Sequence, residues 1–235
     1  MSALAQLLPV TGLRLTSRAA LVTALVFTAL FIAMLSLLLP VSDAPSGQQE
    51  LIAASRNPGL WRISSLLDVG VWLGTAVILL GLAAAIMAVA PLRALLIAAA
   101  AAAQPVGALG GMLRLNAVSE LGSRYGAEQE SVVAAYATLS QTIQAHFDLG
   151  SLMYAIGFLL AAWVGLRQRL LPRWLAIFII GFALFGLVTN VLDFTGIGSP
   201  LPVSLLFLFT GITLQYAMAA GLWRWQPAGV APSPA

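Results

Sequence analysis

The 235-residue chain is 60 % hydrophobic and only 8 % charged, with a mean hydropathy of +0.98, against roughly a quarter charged residues in soluble domains. Such a chain cannot cover a globular surface with polar groups, which excludes a soluble domain and places it in a bilayer. Its formal charge of +3 needs no nucleic acid to explain it; without cysteine there are no disulfides, thiolate metal sites or cysteine nucleophiles, and without lysine no retinal Schiff base.

The first stretch, Met1 to Arg18, carries Leu4, Leu7, Leu8, Leu13 and Leu15 around Pro9 and Gly12 and reads as a segment lying along the inner membrane interface. The apolar run that follows is too long for the h-region of a signal peptide, so an uncleaved anchor is expected. Charge-free runs of about 18 residues or more are long enough to cross the hydrocarbon core. They predict six transmembrane helices, at about 19–39, 63–90, 92–116, 147–167, 173–193 and 201–224, in one membrane domain over 1–225. Between the first two, Gln48 to Arg56 is a short helical candidate stopped by Asn57-Pro58-Gly59. Between the third and fourth, Glu120 to His146 is the longest loop. Its stretch Glu128 to Gln144 spaces Val132, Tyr136, Leu139 and Ile143 as an amphipathic helix, which either covers the outer mouth or leads directly into the fourth span. Residues 226–235, rich in Pro, Ala and Gly, are expected to be disordered.

Arginine sets the orientation. Arg14, Arg18, Arg93, Arg167, Arg169, Arg173 and Arg224 lie on one side and Arg56, Arg62, Arg114 and Arg124 on the other, so the positive-inside rule puts both termini in the cytoplasm. Trp163, Trp174, Trp223 and Trp225 then line the inner interface and Trp61 the outer one. Gly70 with Gly74, Gly107 with Gly111, and the alanines 98–103 should face protein, because small residues let helices approach closely in lipid. Gln104-Pro105 and Gln215 read as a kink and interhelical hydrogen bonds, or as ligand contacts.

Asp68-Val69-Gly70 and Asp148-Leu149-Gly150 each begin a span, and Pro91-Leu92-Arg93 and Pro172-Arg173 follow 23 and 24 positions later. Either a helical hairpin is duplicated, as in transporters with parallel repeats, or the matches are coincidental.

With this topology Asp68, Arg114, Asn116, His146, Asp148, Asn190 and Asp193 fall at one depth of the outer leaflet and are the candidate ligand-binding residues. Asp148, near a helix N-terminus, is favoured by the helix dipole and also reads as an ordinary terminus residue. Asp193, at a helix C-terminus, opposes the dipole and calls for a cation, for which Arg114 is the expected partner. Asp68 lies inside a span, where an ionisable group should face a cavity or a partner. Ser64 and Ser65, and Asn190 and Thr189, stand three and four residues before Asp68 and Asp193 and offer local hydrogen bonds. His146 is the lone histidine and sits two residues from Asp148, so both reach one ion only on an irregular helix; no metal or cofactor is expected.

The order Asn57-Pro58-Gly59-Leu60-Trp61-Arg62, Leu66-Leu67-Asp68, His146-Phe147-Asp148-Leu149-Gly150, Leu171-Pro172-Arg173-Trp174-Leu175 and Val191-Leu192-Asp193 resembles a family of bacterial six-helix integral membrane proteins known only as a domain of unknown function. The likeness spans roughly Ser17 to Trp223. It implies the six-helix fold and a bacterial cytoplasmic membrane, with no activity or catalytic residue to carry over. The family pattern has a histidine followed directly by an acid, where Phe147 intervenes here.

Three functions are expected in competition. The first is a membrane protein whose outward-facing acidic, polar pocket binds a small molecule or lipid. The second is an intramembrane cyclase or lyase acting on an isoprenoid-like substrate, with Asp68 and Asp193 as candidate carboxylates. The third is an accessory subunit whose charged residues only lock helices together. Expected partners are membrane lipids, an apolar ligand, and a protein subunit or second copy.

Overall fold

The computed structural model describes residues 3–44, 48–194, 201–223 and 225; the tail over 226–235 lies outside them. The described residues form seven α-helices and no strand: α1 (Ala3–Leu38), α2 (Gln49–Arg56), α3 (Pro58–Met87), α4 (Pro91–Arg124), α5 (Gln129–Arg167), α6 (Arg173–Phe194) and α7 (Leu201–Trp223). All but α2 are long and apolar enough to cross a membrane. The chain is a polytopic, all-helical membrane protein, the architecture that satisfies every backbone N–H and C=O where no water can.

The six long helices pack in sequence order, and α1 also packs on α7, so that the bundle closes on itself. Leu25, Ile32, Leu95, Ile177, Val188 and Phe209 are more than half exposed around its outside, a surface suited to lipid and not to water. Two cores hold it. One fills the half of the bundle holding the α3–α4 and α5–α6 turns, with Ile78, Leu82, Ile97, Phe158, Leu175 and Leu214 among its members. The other lies at the opposite end, where Leu51, Ala53 and Ala54 of α2 pack with Trp61, Val118, Leu121, Val132 and Tyr136.

Sequence punctuation places the ends. Asn57 stops α2 and its Oδ1 accepts the Leu60 N–H at 3.3 Å, while Pro58, lacking an N–H, opens α3 where none is needed. At the end of α5 the backbone N–H of Leu170 donates to Gly165 C=O at 2.9 Å and that of Arg169 to Leu166 C=O at 3.4 Å, with Arg169 at φ 53°. This pair of bonds is the Schellman arrangement, whose left-handed residue is usually glycine.

Three expectations need correction. The segment before the first span is helical from Ala3 as part of α1 and lies in the bundle by Gly12 and Leu13. Gly12 lies so close to α3 that a Cβ there would stand 2.6 Å from both Ala85 N and Gly81 O. The expected loop from Glu120 to His146 is helical except for a turn over 125–128, so the direct run into the fourth span is the alternative that holds. At 39 residues, α5 extends about 58 Å, nearly twice the hydrocarbon thickness. Trp61, expected at the interface, is 1 % exposed, because the projecting parts of α4 and α5 and the docked α2 enclose it.

Candidate functional site

At the α2 end a polar network closes over the second core. Glu50 sits in the first turn of α2, where the helix dipole favours an acid. Arg114 of α4 clamps it with two N–H groups, Nε at 3.2 Å from Oε2 and Nη2 on Oε1, and the Tyr136 hydroxyl of α5 donates to Oε2. The guanidinium also lies over the Trp61 ring, 5.1 Å from its centroid. Burial alone would raise the Glu50 pKa, but the Arg114 charge and the donated hydrogen bonds outweigh it and hold the carboxyl below the ordinary glutamate range. Arg114 is therefore engaged by Glu50, an acid the sequence reading did not pair with it. The docking of α2 beside α4 brings an acid nearer than the sequence order suggested. Asp193 closes α6, but its side chain lies outside the described residues.

Below this network a cavity of about 330 Å³ opens between α1, α3, α5, α6 and α7. Asp68, Gln144, Asp148, Ser151 and Asn190 line one part of it, and Thr75, Tyr154, Phe182 and Gln215 the part deeper along the helices. Phe27, Trp72, Phe147 and Phe207 complete an aromatic wall. Trp72 stacks on Phe147 with ring centroids 6.0 Å apart. It is seated in a slot that only glycines leave open: a Cβ on Gly107 of α4 would stand 2.5 Å from the indole, and one on Gly150 of α5 would stand 2.8 Å from it. Asp68 is placed the same way, since a Cβ on Gly111 would lie 3.1 Å from Oδ2.

Most of these polar groups have a traceable anchor. Gln144 Nε2 donates to Asp148 Oδ1 at 2.7 Å, one turn along α5. Ser151 donates to Asn190 Oδ1 at 2.6 Å, tying α5 to α6, while Asn190 Nδ2 donates to Gly186 C=O at 2.7 Å. Gln104 joins α4 to α5 by donating to Gly150 C=O at 3.3 Å, as the interhelical reading expected. Gln215 is 2 % exposed and its Oε1 has no hydrogen-bond partner. Ser64 and Ser65 do not support Asp68 as expected; both donate to Trp61 C=O, at 2.8 and 3.0 Å. Thr189 likewise donates to Gly186 C=O. A short hydroxyl on a helix reaches the carbonyl of the preceding turn more readily than the next side chain.

Two further spaces adjoin the cavity. One of about 440 Å³ is bounded by the α1 side chains Phe31, Met34, Leu35 and Leu38, together with Gln49, Asp68 and Arg114. The other is an open groove of about 960 Å³ along α5 and α6, which reaches Gln144, Asp148 and Asn190 from the outside of the bundle.

Of the sequence candidates, Asp68, Asp148 and Asn190 thus meet at one cavity, and Arg114 shares the adjoining space with Asp68. His146 points its Nδ1 at Thr142 C=O, 2.7 Å away, and packs beside Gly110. Asn116 is exposed. Neither lines these three spaces. Among the described residues no group of three or more His, Cys, Asp or Glu is placed to hold a metal ion.

Sequence reasoning passed over Trp72, Gln144, Ser151 and Tyr154, although Trp72 and Gln144 are one turn from Asp68 and Asp148 and could have been found by looking four positions to either side. Glu50 and Tyr136 carried no such mark, because their partner lies on another element.

Neither a curated protein nor a solved structure matches the chain. The sequence pattern of one family does, over residues 18–223, which takes in the second half of α1 and every helix after it. With its six membrane-spanning helices, the chain is a member of that family, the domain of unknown function DUF4386.

Proposed function

We propose that this is a bacterial cytoplasmic-membrane protein that binds a small amphiphilic molecule or lipid in a pocket opening toward the outer side, the end capped by α2. The observation that carries this reading is the cavity itself: about 330 Å³ of space, aromatic along its walls and acidic at Asp68 and Asp148. That size falls in the range of ligand sites, which are mostly apolar with a few placed polar groups. The groove along α5 and α6 reaches the same acidic residues from the membrane side and supplies a lateral route for a lipid-soluble ligand. The other half of the bundle is filled by packed apolar side chains, which favours binding over passage to the far side.

The test is co-purification. Gly211 lines the cavity, and a Cβ there would already stand 3.3 Å from Phe27 and 3.5 Å from Phe182, so Gly211→Leu fills the space. The full chain, extracted with its native membrane into polymer discs, should carry a small molecule, detected by mass spectrometry, that Gly211→Leu discs lack. Identical contents in the two preparations would end the reading.

The same aromatic wall and two lining carboxylates also suit stabilisation of a developing carbocation, which is the cyclase or lyase alternative. A new isoprenoid species in lipid extracts of expressing cells, lost in Asp68→Asn, would replace binding with catalysis.

A further inference from the structure

We propose that the ligand is an apolar monocation, an alkylammonium or similar onium compound, whose charge sits between Asp68 and Asp148 and whose body lies against the aromatic wall. This rests on the cavity being a ligand site, and it adds the chemical class.

Charge decides the class first. Asp68 and Asp148 line the cavity, and no basic residue is among its described lining residues. Arg114, the basic residue of the adjoining space, feels Asp68 but is held by both oxygens of Glu50. Across the two spaces the charged lining is thus Asp68 and Asp148 against Arg114, which Glu50 already engages. An anionic ligand would meet like charge on entry. A neutral one would add no counter-charge beside Asp68 in this largely apolar setting. A cation balances them.

The wall argues independently for the same class. Trp72, Phe147, Tyr154, Phe182 and Phe207 present ring faces and edges around the space, and the stacked Trp72–Phe147 pair stands beside both aspartates in sequence and in the cavity lining. Aromatic surroundings next to a carboxylate recognise onium groups that carry too little polar surface to be bound by hydrogen bonds alone. Gln215 supplies a third observation. It is 2 % exposed, lines the cavity, and has an oxygen with no hydrogen-bond partner. Turning its amide about χ3 offers that acceptor to the positively polarised hydrogens of an ammonium or its α-carbons.

The experiment is equilibrium dialysis of the full chain in phosphatidylcholine nanodiscs, with empty-disc partitioning subtracted, against decyltrimethylammonium, decanol and decanoate. The cation should bind about tenfold or more tightly than either control, the scale of one charge-assisted contact. Asp68→Asn and Asp148→Asn, which keep shape, should each abolish most of that preference, whereas Asp43→Asn, in the exposed turn after α1, should leave it intact. Elution profile and helical content check each variant's fold, and either aspartate variant alone suffices if the other fails to fold. Gly211→Leu should remove binding of the cation altogether. Decanol or decanoate binding as tightly as the cation, and lost in Gly211→Leu, would overturn the charge class while leaving the pocket standing. Binding of the cation that survives Gly211→Leu, or no binding of any probe, would overturn both.

Discussion

Glu50 shows how much one side chain fixes at this end of the molecule, since three elements converge on its two oxygens: its own α2, α4 through Arg114 and α5 through Tyr136. Removing it strands a guanidinium that is only 18 % exposed. Glu50→Gln should therefore cost about 2–4 kcal/mol of stability, somewhat under the range for a fully buried pair, while Tyr136→Phe, which deletes one hydroxyl, should cost about 1 kcal/mol. The Glu50→Gln, Arg114→Met double variant should lose less than the two single losses added together, because it leaves neither partner of the pair charged and alone; strict additivity in detergent melting would show that the pair carries no coupling. The pH dependence follows from the lowered pKa. A group ionised more readily in the fold than in the unfolded chain contributes stability above the ordinary glutamate value, about 4.3, and loses it as pH falls through the folded value beneath. Between about pH 5 and about pH 3, wild type should thus lose melting temperature faster than Glu50→Gln. Parallel curves for the two proteins would contradict this assignment.

Among the elements, it is close backbone approach at glycine that sets the packing. Without a hydrophobic drive between helices in lipid, association depends on van der Waals contact, which small residues maximise. Gly12 lets α1 lie against the backbone of α3, and Gly74 and Gly81 receive Thr23 and Thr16 of α1. Gly107 and Gly150 form the slot for Trp72, which carries the cavity wall. Adding a methyl to such a contact should cost about 1–3 kcal/mol, the range for overpacking. Gly107→Ala and Gly150→Ala should therefore lower the melting temperature and shift Trp72, whereas Gly181→Ala, with nothing within 4 Å of its Cβ, should be neutral or slightly stabilising. Equal melting temperatures for all three variants would mean that the slot does not constrain the indole. At the α5–α6 turn the balance reverses: Arg169 holds φ 53°, a conformation that suits glycine, so Arg169→Gly should gain about 0.5–1 kcal/mol there.

For the molecule as a whole, what could be read in the sequence divides along one line. Charge-free length is a local property, and it fixed six spans in one order. Partnership is not local. The segment around Gly12 looked like an interruption because its reason for being glycine, the backbone of α3, is some 70 positions away. Glu50 could not be matched to Arg114 from sequence, since α2 meets α4 in a core to which the projecting half of α5 also contributes. Asp68, Asp148 and Asn190 were legible because common depth in a span is enough to bring them near one another, whereas the aromatic wall looked like ordinary apolar sequence. Orientation rests on a larger asymmetry. All 8 acidic residues, Asp43, Glu50, Asp68, Glu120, Glu128, Glu130, Asp148 and Asp193, belong to the α2 end, while six of the ten described arginines, Arg14, Arg18, Arg93, Arg167, Arg169 and Arg173, belong to the other. Of the four at the α2 end, Arg114 is tied to Glu50 and Arg124 to Glu128. The translocation cost of positive charge is thus lowest at the α2 end, and the positive-inside rule predicts that end on the outer side of the membrane. The chain contains no cysteine, so a single introduced thiol reports alone. Gly126→Cys in the α4–α5 turn, where a Cβ meets nothing within 4 Å, should be labelled in intact cells by a membrane-impermeant maleimide. Val89→Cys, in the α3–α4 turn and 43 % exposed, should be labelled only after permeabilisation. The reverse pattern would invert the molecule and turn the acidic cavity toward the cytoplasm.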